Sequence, residues 1–93
     1  MKVVIIMGSS SDENHASKIT KHLDDFNIPW SQHVASAHKQ PLKVLEILND
    51  NKNEDKLIYI TIAGRSNALS GFVAANSNHP TLGCPPFSDK ADM

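Results

Sequence analysis

The sequence holds few of the residues on which several kinds of chemistry depend. Its single cysteine, Cys84, excludes an intramolecular disulfide, and no CxxC or Cys/His spacing suggests zinc, so a reducing compartment fits best. Four glycines are too sparse and too scattered for GxGxxG, and no Walker A loop is present. The longest apolar runs are strand-length, short of the ~20 residues that a membrane span needs. Residues 1–7 are broken too soon by Gly-Ser-Ser-Ser to form a secretory h-region. Charge is balanced, with nine Lys+Arg against ten Asp+Glu. That removes the basic field that nucleic acid or anionic lipid would require, so an anionic ligand must be held by local geometry. The expectation is a soluble, cytoplasmic protein with no nucleic-acid or membrane partner and no metal site.

Alternating strands and helices are legible. Val3-Val4-Ile5-Ile6-Met7 is apolar without polar alternation, as suits a parallel strand covered on both faces. From Asp12 the period becomes helical, with Ala16, Ile19, Leu23 and Phe26 on one side and Lys18, Lys21 and Asp24 on the other. Ser11 is a suitable N-cap, with Asp12 and Glu13 in the first turn, and Asn27-Ile28-Pro29 ends the helix. Trp30–Val34 reads as a second strand and Ala35–Gln40 as a loop. Pro41 opens a second helix, in which Leu42, Leu45 and Leu48 are expected to face inward. Asn49–Lys56 reads as a polar connection, Leu57–Ile62 as the strongest strand, and Ala63–Asn67 as a loop. A small-residue helix from about Ala68 to Ala75 and a fourth strand, Thr81–Cys84, follow. The order βαβαβαβ predicts right-handed crossovers in an α/β fold: a three-layer αβα, flavodoxin- or Rossmann-like parallel sheet.

In such a sheet ligands bind outside the carboxyl ends of the strands, where three loops should meet. In the first, Gly8 permits a tight turn, and Ser9, Ser10 and Ser11 offer hydroxyls and backbone N–H groups at a helix N-terminus, a natural anion site. A carboxylate repels phosphate, so Asp12 suits ribose hydroxyls better. Ser11 and Asp12 serve equally well as plain helix caps, and the local sequence leaves both readings open. In the second loop, Ser36-Ala37-His38-Lys39 sets an imidazole suited to proton transfer beside a cation able to hold phosphate. A lone histidine in a solvated loop is the plainer alternative. The third loop supplies Gly64, Arg65, Ser66 and Asn67, as phosphate or carboxylate ligands or as a simple helix entry.

Other candidates take plainer roles. His15 and His22 lie on or near the exposed side of the first helix, His33 on the strand surface, and His79 in a turn before Pro80. Trp30 is expected to pack against a helix. Cys84, with no base near it in sequence, reads as a small buried apolar residue rather than a nucleophile.

Together, Val-Val-Ile-Ile-Met-Gly-Ser-Ser-Ser-Asp (3–12), Ser-Ala-His-Lys (36–39), Ile-Ala-Gly-Arg-Ser-Asn-Ala-Leu-Ser-Gly (62–71) and Cys-Pro-Pro (84–86) resemble the PurE family. These are the aminoimidazole ribonucleotide carboxylases and carboxyaminoimidazole ribonucleotide mutases of purine synthesis. The third loop lacks the second histidine expected of the mutase branch, and Lys39 stands where that branch usually has arginine. Both features resemble the branch that adds carbon dioxide directly.

The resemblance implies that Ser9, Ser11 and Lys39 bind the 5′-phosphate and Asp12 the ribose. Ser36, Ala37 and His38 would flank the imidazole, with His38 as the proton-transfer group. Gly64, Arg65, Ser66 and Asn67 would close the carbon dioxide end. It implies no cofactor and a homo-oligomer, an octamer in the family. Family members continue beyond Cys-Pro-Pro, so the expectation for residues 1–93 is a single partial domain, truncated after the fourth strand. The mutase reaction and an inactive ribonucleotide-binding fragment are the alternative readings.

Overall fold

The computed structural model describes residues 1–63 and 68–84. Four strands, β1 (Lys2–Met7), β2 (Trp30–Val34), β3 (Leu57–Ile62) and β4 (Thr81–Gly83), form one sheet in the order β2-β1-β3-β4, with every pair parallel. Between them lie α1 (Glu13–Asp25), α2 (Pro41–Asn51) and α3 (Ala68–Ala75). β1 and β3 are central; β1 is buried on both faces from Val3 to Met7, while β3 leaves Ile58 and Ile60 half-buried, and both carry apolar runs without polar alternation.

The strand pleat divides the core in two. Val3, Ile5 and Met7 meet Ala16, Ile19 and Leu23 of α1 on one face. Val4 and Ile6 meet Val44, Ile47 and Leu48 of α2, with Leu69 and Val73 of α3 in the same cluster, on the other. Thus α1 covers one face while α2 and α3 share the second. Right-handed crossovers distribute helices in this way when the strand order is 2-1-3-4.

Several local expectations are corrected. α2 turns Val44, Ile47, Leu48 and Asn51 inward, whereas Leu42 is 78% exposed and Leu45 37%. The Leu42–Leu45–Leu48 stripe therefore meets the core only at Leu48. α2 also runs on through Asn51, so the polar connection starts later than the composition suggested. Buried Asn51 donates its amide to the Ile47 carbonyl at 2.8 Å and accepts from Lys2 Nζ at 3.3 Å, which satisfies it. Phe26 lies outside α1 and is exposed. α1 ends where Asn27 adopts φ 57° and the Ile28 N–H returns to the Leu23 carbonyl at 2.9 Å, a left-handed C-terminal closure. Trp30 does pack against the α1 side, and its Nε1 donates to Asp24 at 2.8 Å.

Candidate functional site

The sheet order reverses direction at β1 and β3, which leave the sheet side by side. In doubly wound sheets a crevice opens at such a switch point. Register holds β1, β2 and β3 level at their carboxyl ends, with Met7 opposite both Val34 and Ile62. The ladder continues one residue further. Gly8 N–H donates to the Ile62 carbonyl at 2.9 Å, and Ala35 N–H donates to the Met7 carbonyl at 2.8 Å. Gly8, Ala35 and Ala63 are thus the first residues past three adjacent strands, roughly 5 Å apart from strand to strand. The loops carrying the first two sets of predicted residues start from this common edge.

Gly8 has an unexpected basis. Its φ is not positive, and a Cβ built there would lie 3.7 Å from Ala63 Cβ and from the Ile62 carbonyl oxygen, ordinary contact distances. Among the described residues, neither turn geometry nor packing demands glycine here.

Past Gly8 the chain makes a 3₁₀ turn, Ser10–Asp12, before α1. Its cap is Ser9, not Ser11. The Ser9 hydroxyl accepts the Ser11 backbone N–H at 3.2 Å and lies 2.9 Å from the Ser11 hydroxyl. Asp12 precedes α1 yet makes no side-chain capping bond, although it is 8% exposed. The helix-cap reading of Ser11 and Asp12 therefore fails. The nearly buried Asp12 stands beside three exposed serines, Ser9, Ser10 and Ser11, at this edge.

In the second loop the Ser36 hydroxyl oxygen accepts the backbone N–H groups of His38 and Lys39, each at 3.2 Å. The Ser36 carbonyl also takes the Gln40 N–H at 2.8 Å. Ser36 therefore closes the turn from which His38 and Lys39 project into solvent, while Ala37 packs on the α2-side core. The sequence reading placed Ser36 beside a ligand and missed this turn. The available signal was a serine two and three residues ahead of the N–H groups it binds, a side-chain turn pattern. Gly64, Arg65, Ser66 and Asn67 lie outside the described residues.

A separate groove of about 360 Å³ runs along the α2 face, lined by residues that include Lys2, Ser31, His33, Lys43 and Asp50. It contains none of the predicted site residues. His33 is half-buried there, 3.2 Å from the Ser31 hydroxyl, rather than on an open surface. Burial, and then Lys2 and Lys43, hold its imidazole below the usual histidine range, with Asp50 opposing. Among the described residues no group of three His, Cys, Asp or Glu side chains is placed to hold a metal. No described helix is long and apolar enough to cross a membrane.

Sheet order and strand-end loops define a flavodoxin-like α/β protein with polar loops at the carboxyl edge of its sheet. The AIR carboxylase family model matches residues 2–93, and the chain belongs to that family. It is 54% identical to a phosphoribosylaminoimidazole carboxylase of Archaeoglobus fulgidus, over 97% of this chain and 49% of the relative. A protein of the same name from Treponema denticola is 49% identical, over 94% and 55% respectively. The mouse bifunctional phosphoribosylaminoimidazole carboxylase/succinocarboxamide synthetase is 38% identical over 94% of this chain and 21% of its own length. The crystal structure of Treponema denticola PurE superposes with a TM-score of 0.91 at 47% identity, covering 97% of this chain and 58% of that one. The chain thus spans about half the length of the two single-function relatives.

Proposed function

We propose that this chain carries the ribonucleotide half of an aminoimidazole ribonucleotide carboxylase site, which adds carbon dioxide reversibly to give the 4-carboxy product in purine synthesis. The observation that carries the reading is the common edge at which Gly8–Asp12 and Ser36–Lys39 leave adjacent strands, in a chain of this family. Ser9, Ser11 and Lys39 take the 5′-phosphate, Asp12 takes ribose hydroxyls, and the Ser36–Lys39 turn borders the imidazole. Gly64, Arg65, Ser66 and Asn67 take the carboxylate end.

The amino-substituted ring carbon is enamine-like and attacks carbon dioxide directly. A carbon–carbon bond forms, and that carbon then bears both hydrogen and the new carboxylate. Removal of the ring proton restores aromaticity and yields 4-carboxyaminoimidazole ribonucleotide. His38 accepts this proton and returns it in the reverse reaction. N–H and hydroxyl donors of the third loop stabilise the growing carboxylate charge. The working form is a cytoplasmic homo-oligomer.

The test is incubation with aminoimidazole ribonucleotide and bicarbonate, following the carboxylated product by absorbance. His38→Asn is expected to lower turnover by at least about 100-fold, the usual scale of a lost general base. Retention of wild-type turnover by that variant removes His38 from the mechanism. Supplying the N-carboxylated substrate with free carbon dioxide removed distinguishes the mutase reaction.

A further inference from the structure

Three polar side-chain atoms are closed off from solvent with no hydrogen-bond partner among the described residues: Tyr59 Oη, His79 Nε2 and Thr81 Oγ1. They belong to one place. Parallel pairing sets Thr81 level with Tyr59, so both side chains stand on the same face of the sheet. That face is the one under α2 and α3, since the fully buried Tyr59 shares a cluster with Val44, Leu48 and Val73. The Tyr59 N–H donates to the Pro80 carbonyl at 2.9 Å, which draws the turn before β4 against β3. The His79 ring then lies 6.1 Å from the Tyr59 ring, centroid to centroid. Ser77 closes the same turn by accepting the His79 N–H on its hydroxyl at 3.0 Å. Burial pushes the Tyr59 phenol above its ordinary range, with the nearby Ser77 hydroxyl, which it does not bond, opposing. The phenol therefore keeps its proton and has a donor to place.

Buried polar groups are nearly always paired, because an unmet donor or acceptor carries its full desolvation cost. The chemistry of this set selects the occupant. It contains no carboxylate and no ammonium, only two hydroxyls that donate or accept and one imidazole nitrogen. A water molecule, with two donors and two acceptor sites, finds here the two to four polar partners that a buried water needs. We propose that Tyr59, His79 and Thr81 hold one internal water molecule, which pins the turn before β4 to the middle of β3. The site is at the amino end of β4, away from the carboxyl edge where the Gly8–Asp12 and Ser36–Lys39 loops begin, and it does not rest on the catalytic reading.

Oxygen-17 magnetic relaxation dispersion counts long-lived internal waters in the full chain. The wild-type chain is expected to hold one more than the double variant Tyr59→Phe/Thr81→Val, and equal counts overturn the proposal. Equal counts are also the outcome if Tyr59 bonds His79 directly. Tyr59→Phe alone is expected to lower the melting midpoint by about 4–8 °C, the shift that loss of one net hydrogen bond produces in a chain of this size. A raised midpoint means that the phenol hydroxyl was unbonded, and it overturns the proposal as well. A crystal structure of the full chain that orders internal waters decides without any variant. Density within hydrogen-bonding distance of all three atoms is expected, and its absence overturns the proposal.

Discussion

Gly8 and Asn27 show how two residues usually grouped as turn formers answer to different constraints. Asn27 sits at φ 57°, a conformation that costs most L-residues about 1–2 kcal/mol and that Asn and Gly tolerate. Asn27→Ala should therefore lower stability by about 1 kcal/mol in a denaturant titration, while Asn27→Gly stays within a few tenths. Gly8 carries no such strain, and among the described residues a Cβ there meets only ordinary contacts. On the proposed function, Gly8→Ala is expected to keep the wild-type melting midpoint, yet to weaken binding of aminoimidazole ribonucleotide by crowding the strand edge from which the Gly8–Asp12 loop departs. A lowered midpoint with unchanged binding would mean that the glycine serves the fold. Ser9 and Ser36 add the complementary lesson, since each spends its hydroxyl oxygen on backbone N–H groups and so shapes the loop it belongs to.

At the scale of elements, α2 is the instructive case. Two apolar stripes are available on it, one through Leu42, Leu45 and Leu48 and one through Val44, Ile47 and Leu48, and spacing alone does not choose between them. The choice is tertiary: the second stripe continues to Asn51, whose amide can close on Ile47 and take the Lys2 ammonium beneath β1. Leu48→Ala should cost about 2–5 kcal/mol, as buried leucine truncations do. Leu42→Ala should cost under about 0.5 kcal/mol, since its side chain is largely in water. Matched chemical unfolding curves would check both, and equal losses would contradict the assigned face. β1 is readable for the opposite reason: a strand buried on both faces leaves an unbroken apolar run. The Ser9 cap was not, because three consecutive serines are interchangeable until the 3₁₀ turn sets which oxygen meets which N–H.

For the molecule as a whole, the layered α/β class followed from the alternation of elements, but the strand order 2-1-3-4 did not, because short crossovers are compatible with either neighbour. That order places two of the candidate loops on one edge of the sheet, so their grouping was legible before its geometry was. His33 ties the global stability to pH. Its imidazole is held below the ordinary value of about 6.5 in the folded chain, so the unfolded chain binds the proton more readily. Stability is then complete above that value and falls as pH drops from about 6.5 towards the lower folded value. His33→Gln should flatten this segment of a stability-against-pH curve, and an unchanged slope would remove His33 as its source.

The hydrogen bonds from Gly8 to Ile62 and from Ala35 to Met7 carry a thermodynamic consequence. Fixing one residue's backbone costs about 1–2 kcal/mol of conformational entropy, and here folding has met that cost at both loop origins. On the proposed function, a nucleotide arriving at this edge meets backbone already set, so its binding heat capacity should report the apolar surface it covers and little loop ordering. A large excess over that area, measured by calorimetry at several temperatures, would show that loop residues beyond these anchors fold around the ligand.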